Sequence, residues 1–247
     1  MIEAQVQPIL HGAILFDAAL TSHADEAWFE PAPGAGHREV VGGRGNVSFF
    51  DAPFGPCVLR HYRRGGIAAR LSADRYLWIG RARTRSFREF HLLAQLHDAG
   101  LNVPAPVAAR FVRDGLRYRA DLVTRLLPGT QTLAERLVAT DLDAALAAGV
   151  GCTLAGFHAH GAWHADLNAH NVLTDGSGAV WLLDFDRGCV RTPQIAWQQA
   201  NLARLRRSFL KLGALKRIHG FDAHFWHPLL AAYHKALADR AVRGAES

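Results

Sequence analysis

The sequence predicts an α+β fold, strand-rich in its first half and mainly helical in its second. Three observations lead there. Runs at 40–50, 56–62, 107–112 and 117–123 are apolar or β-branched and bounded by glycine and proline, the mark of strands. After Thr124-Arg125-Leu126-Leu127-Pro128-Gly129, the stretches 132–139, 141–160 and 197–208 carry helical periodicity. Between these helices lies a polar loop, His164 to Asn171, then a short hairpin whose second strand runs into Asp184-Phe185-Asp186.

Composition sets the outer bounds. A chain of 247 residues with 49% hydrophobic content can bury a real core, as one large domain or two lobes. The formal charge of +6 points to anionic partners. Cys57, Cys152 and Cys189 are widely spaced and form no Cys-x-x-Cys pair; they are expected to be buried, reduced thiols. The first residues show no basic stretch leading an apolar run, and no segment approaches the roughly 18 apolar residues of a membrane span. A cytoplasmic or membrane-surface protein is therefore expected.

Taken in order, Ile9–Leu20 reads as strand and residues 30–36 as a proline- and glycine-rich loop. Val40 to Phe50 is strand, glycine turn, strand, and Gly42, Gly43, Arg44 and Gly45 form a turn whose backbone amides could approach a phosphate. Pro56 to Tyr62 is the next strand. Phe87, Phe90, Leu93 and Leu96 mark one face of a helix, with Glu89 off its centre. Residues 60–88 hold nine arginines against one acid, Asp74, around Tyr76-Leu77-Trp78-Ile79. Such a run suits a nucleic acid backbone or an anionic lipid surface. No nucleic-acid module accompanies it, so acidic glycolipid and bilayer interface are the expected partners and nucleic acid is not. Leu142, Leu146, Val150, Leu154 and Phe157 form the core stripe of the helix that delivers the chain into the polar loop.

The chemistry concentrates in His164-Ala165-Asp166-Leu167-Asn168-Ala169-His170-Asn171 and the hairpin after it. Asn171 precedes the first strand and Asp184 follows the second, so a hairpin sets them side by side. With Asp166 nearby, the oxygens of an amide and two carboxylates make a site suited to magnesium. The order H-x-D-x-x-x-x-N, then D-F-x, resembles the catalytic and metal loops of the protein-kinase fold. The fuller wording, HADLNAHNVL and VWLLDFDRG with RHYRRGG, DRYLW and NLARLRRS, is similar to the lipopolysaccharide-core kinases, over roughly residues 38–210.

The resemblance implies a two-lobed kinase-like fold: an antiparallel-sheet lobe (1–126), a mainly helical lobe (127–247) and a short activation segment. It implies ATP and magnesium as cofactors, with Asp166 as catalytic base and Asn171 and Asp184 as metal ligands. Arg60 stands where kinases carry the phosphate-anchoring lysine, with Glu89 as its partner. Gly42, Gly43, Arg44 and Gly45 would cover the phosphates, and Thr124 and Leu126 would line the nucleotide at the hinge. The implied reaction is phosphorylation of the 4-hydroxyl of 3-deoxy-D-manno-octulosonic acid (Kdo) on a lipid A precursor. It would take place at the cytoplasmic face of the inner membrane of a Gram-negative bacterium, with no obligate protein partner.

Only a short link, Arg187 to Pro193, precedes the helical stretch at Trp197, and no A-P-E follows. That leaves no platform for a peptide, so a small or carbohydrate acceptor is expected. Asp186 is expected to cap the turn after the strand. Three rivals stand beside this reading: a kinase of heptose or another sugar, a non-catalytic kinase-like binding module, and a metallohydrolase built from His158, His160, His164, Asp166 and His170.

Overall fold

The computed structural model describes residues 1–30, 38–40, 47–62 and 74–245. The chain forms two compact units, one of Met1–Ala99 with Pro104–Leu127, the other of Gly100–Val103 with Pro128–Ser247.

The first unit is an antiparallel sheet with one long helix. Its strands are β1 (Ala4–Ile9), β2 (Gly12–Asp17), β3 (Arg38–Val40), β4 (Val47–Ala52), β5 (Gly55–His61), β6 (Tyr76–Leu77), β7 (Pro106–Asp114) and β8 (Arg117–Arg125). Among the described residues the order is β1-β2-β7-β8-β5-β4-β3, with β6 pairing β8. The predicted strand over Ile9–Leu20 is corrected: Leu10-His11 forms a tight turn with His11 at φ 65°, splitting the region into the β1–β2 hairpin. β7 is buried on both faces from Pro106 to Phe111 and reads as a nearly continuous apolar run, as a central strand should.

Period-2 alternation sorts β5. Cys57 and Leu59 join Ile14, Phe16, Trp28, Phe29 and Val123 in a core on one face of the sheet. Val58 and Arg60, out of phase with them, belong to the other face. There α1 (Arg85–Asp98) lays Phe87, Phe90, Leu93 and Leu96 against β7 and β8. A charge network centred on buried Arg110 and Asp121 lies along the first face: Arg110 Nε donates to Asp121 at 2.9 Å, its Nη1 to the exposed Glu30 at 2.9 Å, and Asp121 also meets His61 Nδ1.

The second unit opens with β9 (Gln131–Thr132) and α2 (Leu133–Val138). Thr132 and Glu135 complete a reciprocal capping box at the start of α2. α3 (Ala144–Ala159), capped by Asp143 accepting from the Leu146 N–H at 2.7 Å, is packed on α6 (His227–Ala245). Gly151 permits that approach, since a Cβ there would stand 2.3 Å from the Leu229 carbonyl oxygen. Between the helices lie β10 (Ala162–Trp163) paired with β13 (Cys189–Val190), and β11 (Val172–Thr174) paired with β12 (Val180–Leu182) and β9. α4 (Ile195–Lys211) and α5 (Ala214–Arg217) precede a single π turn over Asp222–Trp226 and α6.

The cysteine expectation holds for one thiol. Cys57 is buried, and burial pushes its thiol up to about 11, whereas Cys152 is exposed and Cys189 half-buried. All three are free. No described helix is long and apolar enough to cross a membrane.

Candidate functional site

The polar loop and the hairpin are locked together by backbone groups. Val172 pairs with Leu182, Leu173 with Trp181 and Thr174 with Val180. The tip is closed by Asp175, which accepts from Ser177 N–H, Ser177 Oγ–H and Ala179 N–H. At the open end Leu183 N–H donates to the Asn171 carbonyl at 2.9 Å, so Asn171 and Asp184 flank one rung of the ladder as their spacing predicts. Asn171 Nδ2 donates to the Asp166 carbonyl at 3.0 Å. That bond ties the two ends of the loop and fixes the amide, with its Oδ1 on the opposite side of the group.

His164 is the pin. It is buried, its Nε2 lies 2.7 Å from the Leu183 carbonyl, and its Nδ1 accepts from Asp166 N–H at 3.1 Å. One ring nitrogen donates and the other accepts, which requires neutral imidazole. Burial lowers its pKa, and this outweighs the Leu183 bond and the charges of Asp184 and Asp166, which act the other way. The ring also packs at 4.8 Å from Phe185, which is buried and stacks on Phe157. Phe185 therefore anchors the segment that carries Asp184.

Asp184 has φ 60°, a left-handed conformation that aspartate tolerates better than most residues. The next turn closes with Gly188 N–H donating to the Phe185 carbonyl at 2.7 Å, and Arg187 takes φ 63° within it. The link to α4 is short and tied down: Arg191 lies over the rings of Trp163 and Trp197 at 4.4 and 4.9 Å, and Trp197 Nε1–H donates to the Thr192 carbonyl.

α4 holds the loop from outside. Asn201 exchanges two hydrogen bonds with the backbone of His164, and Ser208 Oγ accepts from Ala169 N–H at 2.9 Å. Between these contacts Arg204 Nη1 stands 3.9 Å from Asp166 Oδ1. Asn168 Nδ2 donates to the Asp166 carbonyl and to its Oδ2 at 2.9 and 3.3 Å. Asp166 itself is half exposed, open to an acceptor molecule.

In the first unit Arg60 and Glu89 meet as predicted. Glu89 is buried, and its Oε2 receives Arg60 Nη2 at 2.5 Å together with the hydroxyl of Tyr62. The Tyr62 hydroxyl also accepts from Arg60 at 3.2 Å. Thr124 lies on β8 opposite Val58, and Leu126 N–H continues the pairing by donating to the Pro56 carbonyl. Gly42, Gly43, Arg44 and Gly45, like Arg63, Arg64 and Arg70, lie outside the described residues.

Three participants were not singled out by sequence reasoning. Tyr62 is two residues beyond Arg60 along the same strand direction, a period-2 signal that was there to be read. Asn201 and Ser208 fall in line with the buried stripe of α4 that includes Leu202, Leu205 and Phe209. Polar residues on an apolar stripe flag a backbone in need of partners.

Two of the histidines expected of a metallohydrolase are otherwise engaged. His158 Nδ1 lies 2.8 Å from the Tyr233 hydroxyl in a buried contact, and both nitrogens of His164 are occupied as above. Among the described residues no group of three or more His, Cys, Asp or Glu side chains is placed to hold a metal ion. The amide of Asn171 and the carboxylates of Asp166 and Asp184 are of the oxygen type a hard divalent cation prefers.

A carboxylate beside an amide–carboxylate pair, on a loop pinned by a neutral histidine, is the equipment of a phosphotransferase. The chain belongs to the lipopolysaccharide kinase (Kdo/WaaP) family, whose profile matches residues 35–233. It is 49% identical over 203 residues, 81% of each chain, to the 3-deoxy-D-manno-octulosonic acid kinase of Stenotrophomonas maltophilia strain K279a. It is 50% identical over 204 residues, 82% of each chain, to the protein of that name from Xanthomonas axonopodis pv. citri strain 306. Among solved structures, the bifunctional kinase-methyltransferase WbdD aligns with 78% of this chain and 42% of its own at a TM-score of 0.45 and 19% identity, a slight likeness.

Proposed function

We propose that this protein is a kinase-fold enzyme that transfers the γ-phosphoryl group of ATP to the 4-hydroxyl of Kdo on a lipid A precursor. The gathering of Asp166, Asn171 and Asp184 on the His164-pinned loop and hairpin carries this reading. The curated relatives, named as kinases of this sugar acid, supply the acceptor.

Phosphoryl transfer needs positioning and charge neutralisation more than covalent chemistry. Asp166 accepts a hydrogen bond from the acceptor hydroxyl and takes its proton as the oxygen bonds to the γ-phosphorus. The bond from that phosphorus to the β–γ bridging oxygen then breaks, and ADP leaves with the electron pair. Asn171 Oδ1 and the Asp184 carboxylate would hold magnesium, which neutralises phosphate charge when bound. Arg60, its guanidinium fixed by Glu89 and Tyr62, would bind phosphate oxygens through its remaining N–H groups. Gly42, Gly43, Arg44 and Gly45 would cover the terminal phosphates, and Thr124 and Leu126 would line the base.

The same reading places the enzyme on the cytoplasmic face of an anionic membrane. Leu10, Leu77, Ile79 and Leu116 are exposed at neighbouring strand ends and turns: Leu77 is paired with Arg117, Trp78 N–H donates to the Leu116 carbonyl, and Arg113 N–H to that of His11. Exposed Arg81, Arg83, Arg113, Arg117 and Arg119 accompany them. Apolar tips among arginines suit a bilayer of acidic lipids. Tyr76 and Trp78 pack on Tyr118 and Phe111.

The deciding experiment incubates the protein with ATP, magnesium and Kdo-bearing lipid A precursor, beside heptose-bearing and aminoglycoside acceptors. Phosphate on the Kdo acceptor is expected; phosphate on heptose alone would replace the acceptor, and none on any would remove the kinase reading. For the surface, vesicles with acidic lipids should sediment the protein. The combined Leu77→Asp and Ile79→Asp variant should stay in the supernatant, and equal sedimentation would reject this face.

A further inference from the structure

Arg204 sits beside the proposed base for a reason that stability does not supply. The pair is 3.9 Å apart and both side chains are about half exposed, 45% and 56%. An ion pair of that length in water contributes almost nothing to folding. Yet the helix beneath Arg204 is held in place on both sides. Three residues before it Asn201 grips the His164 backbone, and four residues after it Ser208 grips Ala169. These contacts fix the root of a cationic side chain against the loop that presents Asp166. Its charge is felt at His164, where it opposes protonation.

A guanidinium so placed has N–H donors to spare for an anion next to the hydroxyl that Asp166 would activate. The acceptor named for the relatives is a sugar acid. A planar fork matches a carboxylate with two parallel hydrogen bonds, as an ammonium does not.

We propose that Arg204 binds the carboxylate of the acceptor sugar and thereby selects an acidic sugar over a neutral one. This rests on the acceptor assigned above. The alternative source of negative charge at that position, the transferring phosphoryl group, makes a different kinetic prediction.

The test compares the wild type, Arg204→Gln and Arg204→Lys on a soluble Kdo glycoside and on its carboxamide analogue. Arg204→Gln should raise the acceptor KM roughly ten- to a hundredfold, the range for losing a charged hydrogen-bond pair, with the ATP KM unchanged. Arg204→Lys should recover only part of the loss. The carboxamide should cost the wild type a similar factor and cost Arg204→Gln nothing more. A fall in kcat at unchanged acceptor KM would assign Arg204 to the phosphoryl group and overturn the proposal. So would a carboxamide penalty undiminished in Arg204→Gln. A wild type that leaves the Kdo glycoside unphosphorylated while phosphorylating a neutral sugar removes the acceptor assignment itself, and that outcome is read before any variant is made.

Discussion

His164 shows how one buried side chain can organise a polar loop and the hairpin after it. Its two ring nitrogens join the Asp166 backbone to the Leu183 carbonyl, so Asp166 and the segment that carries Asp184 share a single hinge pin. Replacing Asp166 by alanine leaves the backbone bonds of this frame in place. Turnover is expected to fall by about 10²–10⁴, the usual contribution of a general base, with an unchanged circular dichroism spectrum; full activity would remove Asp166 from the reaction. Glu89 is different, because it is buried and receives both Arg60 and Tyr62. Glu89→Ala leaves the Arg60 charge, itself only 23% exposed, without that partner. Breaking such a pair costs about 3–5 kcal/mol, so chemical denaturation should show a large drop in stability along with weaker ATP binding. That Asp166, Asn171 and Asp184 come close along one loop and hairpin was legible because a loop and a hairpin of fixed length determine it. Arg60 with Glu89 was legible only through resemblance, since 29 residues separate them and helix periodicity alone left Glu89 off the centre of the apolar face.

At the scale of elements, α4 is as much a part of the site as the loop it grips, and α3 depends on a close approach that sequence patterns do not announce. Gly151 lies inside a helix whose periodicity predicts core at positions 142, 146, 150 and 154, and in such a pattern a glycine reads as a mild weakness. Packing explains it: the Leu229 carbonyl and the Tyr233 N–H of α6 occupy the space a Cβ would need, 2.3 and 2.9 Å from it. Backbone cannot move aside as a flexible side chain can. Gly151→Ala should therefore destabilise by about 1–3 kcal/mol, the cost of overpacking, despite alanine's better helix propensity. A melting temperature equal to or above that of the wild type would show that α3 and α6 yield at this point. The β1–β2 hairpin was missed for a related reason. Its turn is Leu10-His11, with neither glycine nor asparagine to mark it, so the strand was read through the corner.

For the whole molecule, the consequence of burying histidine is a stability that depends on pH. His158 lies where α3, α4 and α6 meet: Tyr233 stands at its Nδ1, Trp197 packs edge-on at 5.1 Å, and Gln198 donates to its carbonyl. Burial pushes its pKa from 6.5 down to about 4, more strongly than the Asn201 hydrogen bond holds it up. Burial pushes the Tyr233 hydroxyl up to about 12, so it remains protonated beside a neutral ring. Between pH 4 and 6.5 the unfolded chain then carries a proton at this position that the folded chain does not. Unfolding takes up protons, and stability falls as pH drops through that window, levelling off below pH 4 as far as this group is concerned. A separation of that size corresponds to roughly 3 kcal/mol. His164, shifted in the same direction, adds to the fall. The expected result is a melting temperature that declines steadily from pH 6.5 towards 4. The decline should be shallower in His158→Gln, which cannot take up the proton, even though that variant starts from lower stability at pH 7. Parallel curves for variant and wild type would mean that His158 is protonated in the folded protein, and that the contact among the three helices is a charged one.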